Sequence, residues 1–294
     1  NEMAESKGQM LPRFGTILLL ERVAMETGFH EPLRHPDPAF PVIFHPNALE
    51  GTGRVEAHWH EGIEVLCCFQ GAAAVRSGGE QLLMQAGELA VVNSGDLHSI
   101  EPQEPPCRYY CLIVEPALFA ETDFPFRTGI LRRHISDPET AGLFSQINRE
   151  MEQRESCYKE AVKGCIFLLF SRLYRRYRLS AAAEDPLTGQ HQAAVKKAIV
   201  YLRAHFQEKL LLEDVCGAVG FSKFYFCRQF RQVTGRSIGE YLQYLRCANA
   251  RRLLESGEYN IGESARLTGF SEMSYFTRVF KRETGLLPSQ VRQR

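Results

Sequence analysis

The sequence has no long apolar run, only one tryptophan, and no excess of charge of either sign. Its apolar runs, such as Ile17 to Leu20 and Cys165 to Phe170, fall far short of the roughly 20 residues that cross a bilayer. No series of basic, apolar and small residues opens the chain as a secretory signal would. None of the nine cysteines forms a C-x-x-C pair, which speaks against a zinc ribbon. Cys67, Cys68, Cys107, Cys111, Cys157, Cys165, Cys216, Cys227 and Cys247 lie mostly in apolar surroundings. Such cysteines are expected as buried thiols of a cytoplasmic protein with no membrane partner. At 44% hydrophobic and 24% charged residues, the composition excludes a wholly disordered, collagenous or coiled-coil chain. With 294 residues, two domains are expected.

The zero net charge conceals a division. Residues 191–294 hold 17 Lys/Arg against 9 Asp/Glu, an excess of +8, and the first 190 residues hold 18 against 26, a deficit of −8. A basic third on an acidic two-thirds points to one domain that meets a polyanion.

The texture of the sequence divides the same way. Up to about Ile135, short apolar runs bounded by Gly and Pro (Ile63–Phe69, Ala72–Val75, Leu89–Val92, Tyr109–Val114) read as strands of a sandwich or barrel. From Asp137, Leu143, Ile147, Met151, Val162, Ile166, Leu169 and Leu173 recur at helical spacing. The apolar stretch Cys165–Phe170 must be sandwiched within the domain or against a second copy, so residues 136–180 are read as a helical dimerisation element. The basic cluster Arg172, Arg175, Arg176 and Arg178 reads as a solvated helix end. Residues 181–190, with Pro186 and Gly189, read as a linker. Val195, Ile199, Leu202 and Phe206 then mark a helix face, and Ser237-x-x-Glu240 has the form of a capping box opening a longer helix to about Gly257.

Within the basic third lies an internal repeat. Gly220-Phe221-Ser222 is echoed by Gly269-Phe270-Ser271, Phe226-x-Arg228-x-Phe230 by Phe276-x-Arg278-x-Phe280, and Thr234-Gly235 by Thr284-Gly285. Each copy reads as a short helix, a left-handed glycine turn, a serine N-cap and a second helix. Paired phenylalanines anchor that second helix, leaving Arg228 or Arg278 outward, placed to meet guanine in a major groove. The two units span about 212–235 and 261–285.

These motifs, with Tyr275-Phe276-x-Arg278-x-Phe280-Lys281 and Thr284-Gly285-x-x-Pro288, make residues 191–294 resemble the DNA-binding domain of the AraC/XylS family of bacterial transcription regulators. The resemblance implies groove-facing positions at Phe224, Cys227 and Arg228 in the first unit and at Ser274, Thr277 and Arg278 in the second. It also implies phosphate contacts at Lys223, Lys281 and Arg282. Phe224 and Cys227 are poor hydrogen-bonding readers, and Gln290-Val291-Arg292 lacks the aromatic residue common in the family.

Upstream, His58-x-His60-x3-Glu64-x6-Gly71 and Gly87-x5-Asn93-x-Gly95-x2-His98 are similar to the two motifs of a cupin β-barrel. Asn93 stands where proline is usual, and Pro102 where asparagine is usual. Strand parity places His58, His60 and Glu64 on one face and Trp59 on the other. Three readings stay open for His58, His60, Glu64 and His98: a divalent transition-metal site, a polar effector pocket, or a metal-dependent cupin enzyme carrying a DNA-binding module. No other acid/base or nucleophile constellation is evident, and Ser94 lacks a G-x-S-x-G context, so no enzyme is expected. The expected molecule is α+β and multidomain. A cupin-like β-barrel (1–135) senses a small-molecule effector, central helices follow, and an all-α domain with two helix-turn-helix motifs reads promoter DNA. A homodimer and RNA polymerase complete the expected partners, and a ligand-independent architectural binder is the further alternative.

Overall fold

The computed structural model describes residues 37, 39–50, 53–126, 129–179 and 186–292. The run Ile17–Leu20, residue 180 and residues 181–185 of the expected linker lie outside these. Among the described residues, no helix is long and apolar enough to cross a membrane.

Strands β1 (Val42–Leu49), β2 (Val55–His58), β3 (Ile63–Ser77), β4 (Glu80–Gln85), β5 (Glu88–Val92), β6 (His98–Val114) and β7 (His134–Ser136) form one antiparallel sheet. Its order is β1-β6-β3-β5-β7, with β2 also on β6 and β4 also on β3. At 15 and 17 residues, β3 and β6 are long enough to serve both halves of the fold. Their register shifts between Cys68 and Ala73, where Gly71 takes a φ of +73°. A Cβ on Gly71 would lie 2.4 Å from the Glu104 carbonyl oxygen, so this bend requires glycine. The runs Ile63–Phe69 and Ala72–Val75, read as separate strands, are therefore one bent strand. The bends of β3 and β6 curl the sheet on itself, in keeping with the expected cupin-like β-barrel, although among the described residues no ladder joins β1 to β7.

Alternation along the strands builds two apolar layers. Leu49, Leu66, Cys68, Met84, Tyr109 and Ile113 fill the inside of the curl. Val65, Leu89, Val91 and Leu112 face outward under α1 (Pro138–Gln153) and α2 (Tyr158–Arg176). Asp137 caps α1 by accepting from the amides of Glu139 and Thr140 at 3.1 and 3.2 Å. Val162, Ile166, Leu169, Phe170 and Leu173 bury one side of α2, which absorbs much of the Cys165–Phe170 run, while Leu168 remains exposed. Arg172 and Arg176 turn back to Glu139 and Asp137 of the same domain.

Helix α3 (Pro186–His205) begins inside the segment read as a linker. Residues 186–190 are helix, because proline at a first helical position loses no hydrogen bond and has its φ already set. Then come α4 (Leu212–Val219), α5 (Lys223–Thr234), α6 (Ile238–Glu255), α7 (Ile261–Leu267), α8 (Met273–Thr284) and α9 (Pro288–Arg292). Helix α6 opens with the expected capping box between Ser237 and Glu240. Ile238, Tyr241 and Leu245 on its first half join the core of the first helix-turn-helix, and Cys247, Ala250 and Leu254 on its second half join that of the second.

Candidate functional site

Both helix-turn-helix units are built as the repeat implies. Gly220 and Gly269 take φ of +78° and +87°, and Phe226, Phe230, Phe276 and Phe280 are each at most 1% exposed. The Thr-Gly echo has a shared geometry. Thr234 donates to the Phe230 carbonyl at 2.7 Å and Thr284 to the Phe280 carbonyl at 2.8 Å, while Gly235 and Gly285 close each helix in the left-handed region. The caps differ from expectation. Ser222 stands at the N-cap of α5 without a side-chain cap bond, and Glu272, not Ser271, occupies that position before α8, one residue later because of the insertion.

With these helices fixed, Lys223, Phe224 and Arg228 of α5 and Ser274, Arg278, Lys281 and Arg282 of α8 lie exposed, with Cys227 and Thr277 half-buried. Phe224 is 92% exposed, an unusual solvent contact for a phenylalanine. Lys223 is tied to Glu213 at 2.6 Å, Arg278 lies over Tyr275, and Arg282 donates to Gln243 and Glu283. Around the first unit the outer face is not clear of the sensor. Arg228, Arg231, Gln232 and Gly235 border a cleft of about 570 Å³ with Arg76, Gly79, Gln81 and Glu101 of the sheet.

The second constellation is the histidine cluster. His58, His60, Glu64 and His98 are all buried, and one ligand atom from each lies within 4.8 Å of every other. Parity accounts for only part of this. Strand β2 ends at His58, and a turn through Glu61 and Gly62 carries the chain into β3 and Glu64. The Gly95 amide, donating to the His60 carbonyl at 2.9 Å, pins the turn that delivers His98. Asn93, standing in the usual proline position, clamps Leu131 by two hydrogen bonds and so ties this turn to the sheet's far edge.

The three imidazoles share one arrangement. Nδ1 of His58, His60 and His98 sits 2.9, 3.0 and 2.9 Å from the carbonyls of Glu56, Gly62 and Asp96. A carbonyl only accepts, so each Nδ1 carries a proton and each Nε2 is left for the cluster. Glu64 Oε2 lies 2.9 Å from His98 Nε2 and 3.3 Å from His60 Nε2, and Cys111 Sγ donates to Glu64 Oε1 at 3.1 Å. Burial pushes His58 down to about 3, helped by the neighbouring His98 charge. For His98, burial acts downward but is outweighed by the Glu64 charge and hydrogen bond, which raise it. Burial likewise acts upward on Glu64 and is outweighed by His98 and His60, which hold it well below the usual carboxylate range. The cluster turns one carboxylate and three imidazole Nε2 edges toward a common point, a donor set suited to a single positive charge.

Sequence reasoning missed the residues joining the two constellations. Ala57, Trp59 and Leu97, each beside a cluster histidine, are buried in the core of the first helix-turn-helix with Ala194, Val195 and Ile199. Lys196 donates to the Gly95 carbonyl at 2.5 Å and lies over Trp59, and Gln192 accepts from the Leu97 amide at 3.1 Å. Arg236 binds Glu56 through three hydrogen bonds of 2.6–3.1 Å and Glu283 through one of 2.8 Å. The one signal in the sequence was a break in the repeat, since Arg236 stands where the second copy has Leu286.

Comparison with known proteins agrees with this division. An AraC-like ligand binding domain matches residues 49–175, and a helix-turn-helix domain matches residues 215–294. The chain is 35% identical over 152 residues to the HTH-type transcriptional activator RhaR of Klebsiella pneumoniae, covering 52% of this chain and 53% of that protein. It is 22% identical to the HTH-type transcriptional regulator YdeC of Bacillus subtilis over 92% of this chain and 97% of that one. The chain thus spans about half the length of the RhaR activator it matches. Among solved structures, apo ToxT of Vibrio cholerae is 16% identical, covers 87% of this chain and 98% of its own, and has a TM-score of 0.43. The chain thus joins an AraC-like ligand binding domain to a helix-turn-helix domain, and the relatives it matches are HTH-type transcription regulators.

Proposed function

We propose that this protein is a cytoplasmic, sequence-specific DNA-binding transcription regulator whose effector site is the histidine cluster, and that a divalent transition metal held by His58, His60, Glu64 and His98 occupies that site. The observation carrying this reading is the common orientation of the imidazoles. All three Nδ1 atoms are anchored on backbone carbonyls, the outer-shell support found around metal-ligating histidines, and all three Nε2 atoms are left to meet Glu64. The donor set of three nitrogens and one carboxylate suits zinc, iron, manganese or nickel. A bound cation would set a positive charge beside the buried Glu64 carboxylate. The inside of the curl is filled by Leu66, Met84 and Tyr109, which favours a small ligand at its mouth over a large organic one within.

Promoter DNA would meet Arg228 and Arg278 as base readers and Lys223, Lys281 and Arg282 as phosphate contacts, with Phe224 and Cys227, Ser274 and Thr277 lining the two grooves. Helices α1 and α2 are the element for dimerisation, with RNA polymerase as a further partner at the promoter. No enzyme activity is assigned, since the relatives matched are transcription regulators.

The test is elemental analysis of protein purified without chelating resin, with His60→Ala alongside. Stoichiometric transition metal in the wild type, lost in His60→Ala, is the expected result. A metal-free wild type that instead carries an organic molecule would replace the metal reading by an organic-effector pocket.

A further inference from the structure

We propose that strand β2 links occupancy of the histidine cluster to DNA binding through the buried ion-pair chain Glu56–Arg236–Glu283. This rests on the reading of the cluster as the effector site, and names how that site would be heard by the rest of the protein.

The first support is alternation. His58 and His60 point into the cluster, and Ala57 and Trp59, their neighbours in sequence, point the other way into the core of the first helix-turn-helix. The same holds for His98 and Leu97 on the next turn. Cluster and DNA-binding unit therefore touch opposite faces of the same few residues. A displacement of the histidine backbone on one face is a displacement of packed side chains on the other, because a close-packed interior does not absorb it.

The second support is that a single residue serves both sides. The Glu56 carbonyl accepts the Nδ1–H of His58 at 2.9 Å. Its carboxylate meanwhile holds Arg236 with hydrogen bonds of 3.1, 3.1 and 2.6 Å and lies 3.2 Å from Arg54 Nε. Arg54 in turn donates to the carbonyl of Thr234, at the end of α5. Whatever reorients the His58 ring acts on the backbone of the residue that grips the DNA-binding domain.

The third is the reach of Arg236. It follows Gly235, where α5 ends, and leads into the long helix α6, so it sits at the joint between the two units. Its other guanidinium nitrogen reaches Glu283 near the end of α8 at 2.8 Å. One cation therefore fastens the sensor strand to both helix-turn-helix units. The side chains of Glu56, Arg236 and Glu283 are only 9, 15 and 7% exposed. At such burial an unpaired charge is strongly unfavourable, so the members of the chain must move together or exchange partners together. The second repeat has Leu286 at the equivalent position, which leaves the connection to the sensor with the first unit.

Linkage makes the proposal measurable, because an effector that changes DNA affinity is itself bound more or less tightly on DNA by the same factor. Zinc is the probe, titrated into the full chain against a chromophoric chelator, alone and saturated with a duplex selected from a random pool by the full chain. Wild type should show zinc affinities differing by fivefold or more between the two conditions. Glu56→Gln and Arg236→Gln should bring that ratio within twofold of one while changing zinc affinity without DNA by less than threefold. Glu283→Gln, in the second unit and remote from the cluster, should lower the ratio as well, and provides the test should the other variants fail to fold. A wild type that binds zinc with a ratio of one overturns the coupling and leaves the effector-site reading standing. Variants that keep the full ratio do the same. Variants that lose zinc more than tenfold without DNA make Glu56 and Arg236 supports of the site rather than transmitters, which also overturns it. A wild type that takes up no zinc or other transition metal overturns both.

Discussion

Trp59 offers the sharpest perturbation of the joint between sensor and DNA-binding domain. It is the only tryptophan in the chain, 9% exposed, and lies between two cluster histidines with its ring in the core of the first helix-turn-helix. A tryptophan buries about 150–250 Å², worth about 4–6 kcal/mol at 25 cal/mol per Å². Measured truncations of buried aromatic residues cost about 3–5 kcal/mol. The contact with Lys196, whose ammonium lies 5.3 Å from the ring centroid, adds about 0.5–1 kcal/mol. Trp59→Ala should therefore weaken the joint by about 3–5 kcal/mol. The sheet domain and the helical domain each retain a core of their own once Trp59 is gone, the first from Leu66, Val91, Phe144 and Phe170, the second from Val195, Phe226, Phe230 and Tyr241. The loss should thus appear as separation of domains, with a larger radius of gyration in X-ray scattering and a calorimetric transition that splits in two. Wild-type fluorescence gives the complementary reading, since Trp59 should emit as a buried indole and shift to the red under mild urea before the helical signal falls. A Trp59→Ala protein with unchanged radius and a single transition within about 1 °C of wild type would refute the reasoning.

Three further outcomes follow from the same structure. Gly220→Ala should cost about 1–2 kcal/mol in a urea melt, because the residue is left-handed but its Cβ would meet nothing within 4 Å. Gly269→Ala should cost clearly more, because its Cβ would lie 2.9 Å from the carbonyl oxygens of Phe206 and Gln207. Arg278→Ala should weaken specific DNA binding by about 1–3 kcal/mol in fluorescence anisotropy, with equal loss on random DNA demoting it to a phosphate contact, and the excess of +8 should make affinity fall steeply with salt. Folding lowers His58 to about 3 from 6.5, so the unfolded chain binds the extra proton and stability of chelator-treated protein should fall as pH drops below 6.5. The slope approaches about 1.4 kcal/mol per pH unit, His58→Gln should flatten it, and urea melts at pH 7 and 5 check it.

Much of the fold was legible because it is written locally. The short apolar runs, the helical spacing after Asp137, the capping box at Ser237 and the doubled Gly-Phe-Ser and Phe-x-Arg-x-Phe motifs each act over a few residues, and each has its strand, helix or turn in the structure. The histidine cluster was legible for a weaker reason. Parity brought His58 and His60 to one face, but Glu64 arrives through a turn and His98 through a second turn held by Gly95, so only the motif resemblance tied the four together. What sequence did not reveal is long-range and charged. Glu56 and Arg236 are 180 positions apart, and an exposed-looking Glu or Arg in a row of strand or turn residues carries no mark that it will be buried against its opposite. Residues 186–190 of the expected linker are helix, because a proline turns from helix breaker to helix starter once it stands at the first position.

The asymmetry between the two helix-turn-helix units bears directly on how such a molecule could be controlled. The second unit presents an exposed Arg278, and it meets the sensor's ion-pair chain through Glu283. The first unit has its inner side in one core with Ala57, Trp59 and Leu97, and the outer side of α5 borders a cleft with Arg76 and Glu101 of the sheet. With Arg228 and Arg278 as the proposed base readers, a duplex approaching Arg228 would meet Glu101 and the β3–β4 turn beside it. Two units of nearly equal fold are thereby unequal in access. The difference predicts that in the full chain Arg278→Ala removes more DNA affinity than Arg228→Ala, and that Trp59→Ala, by loosening the joint, brings the two losses closer together. Anisotropy on one duplex with the two single and two double variants decides it. Equal losses in the otherwise wild-type chain would show that the sensor does not shield the first unit.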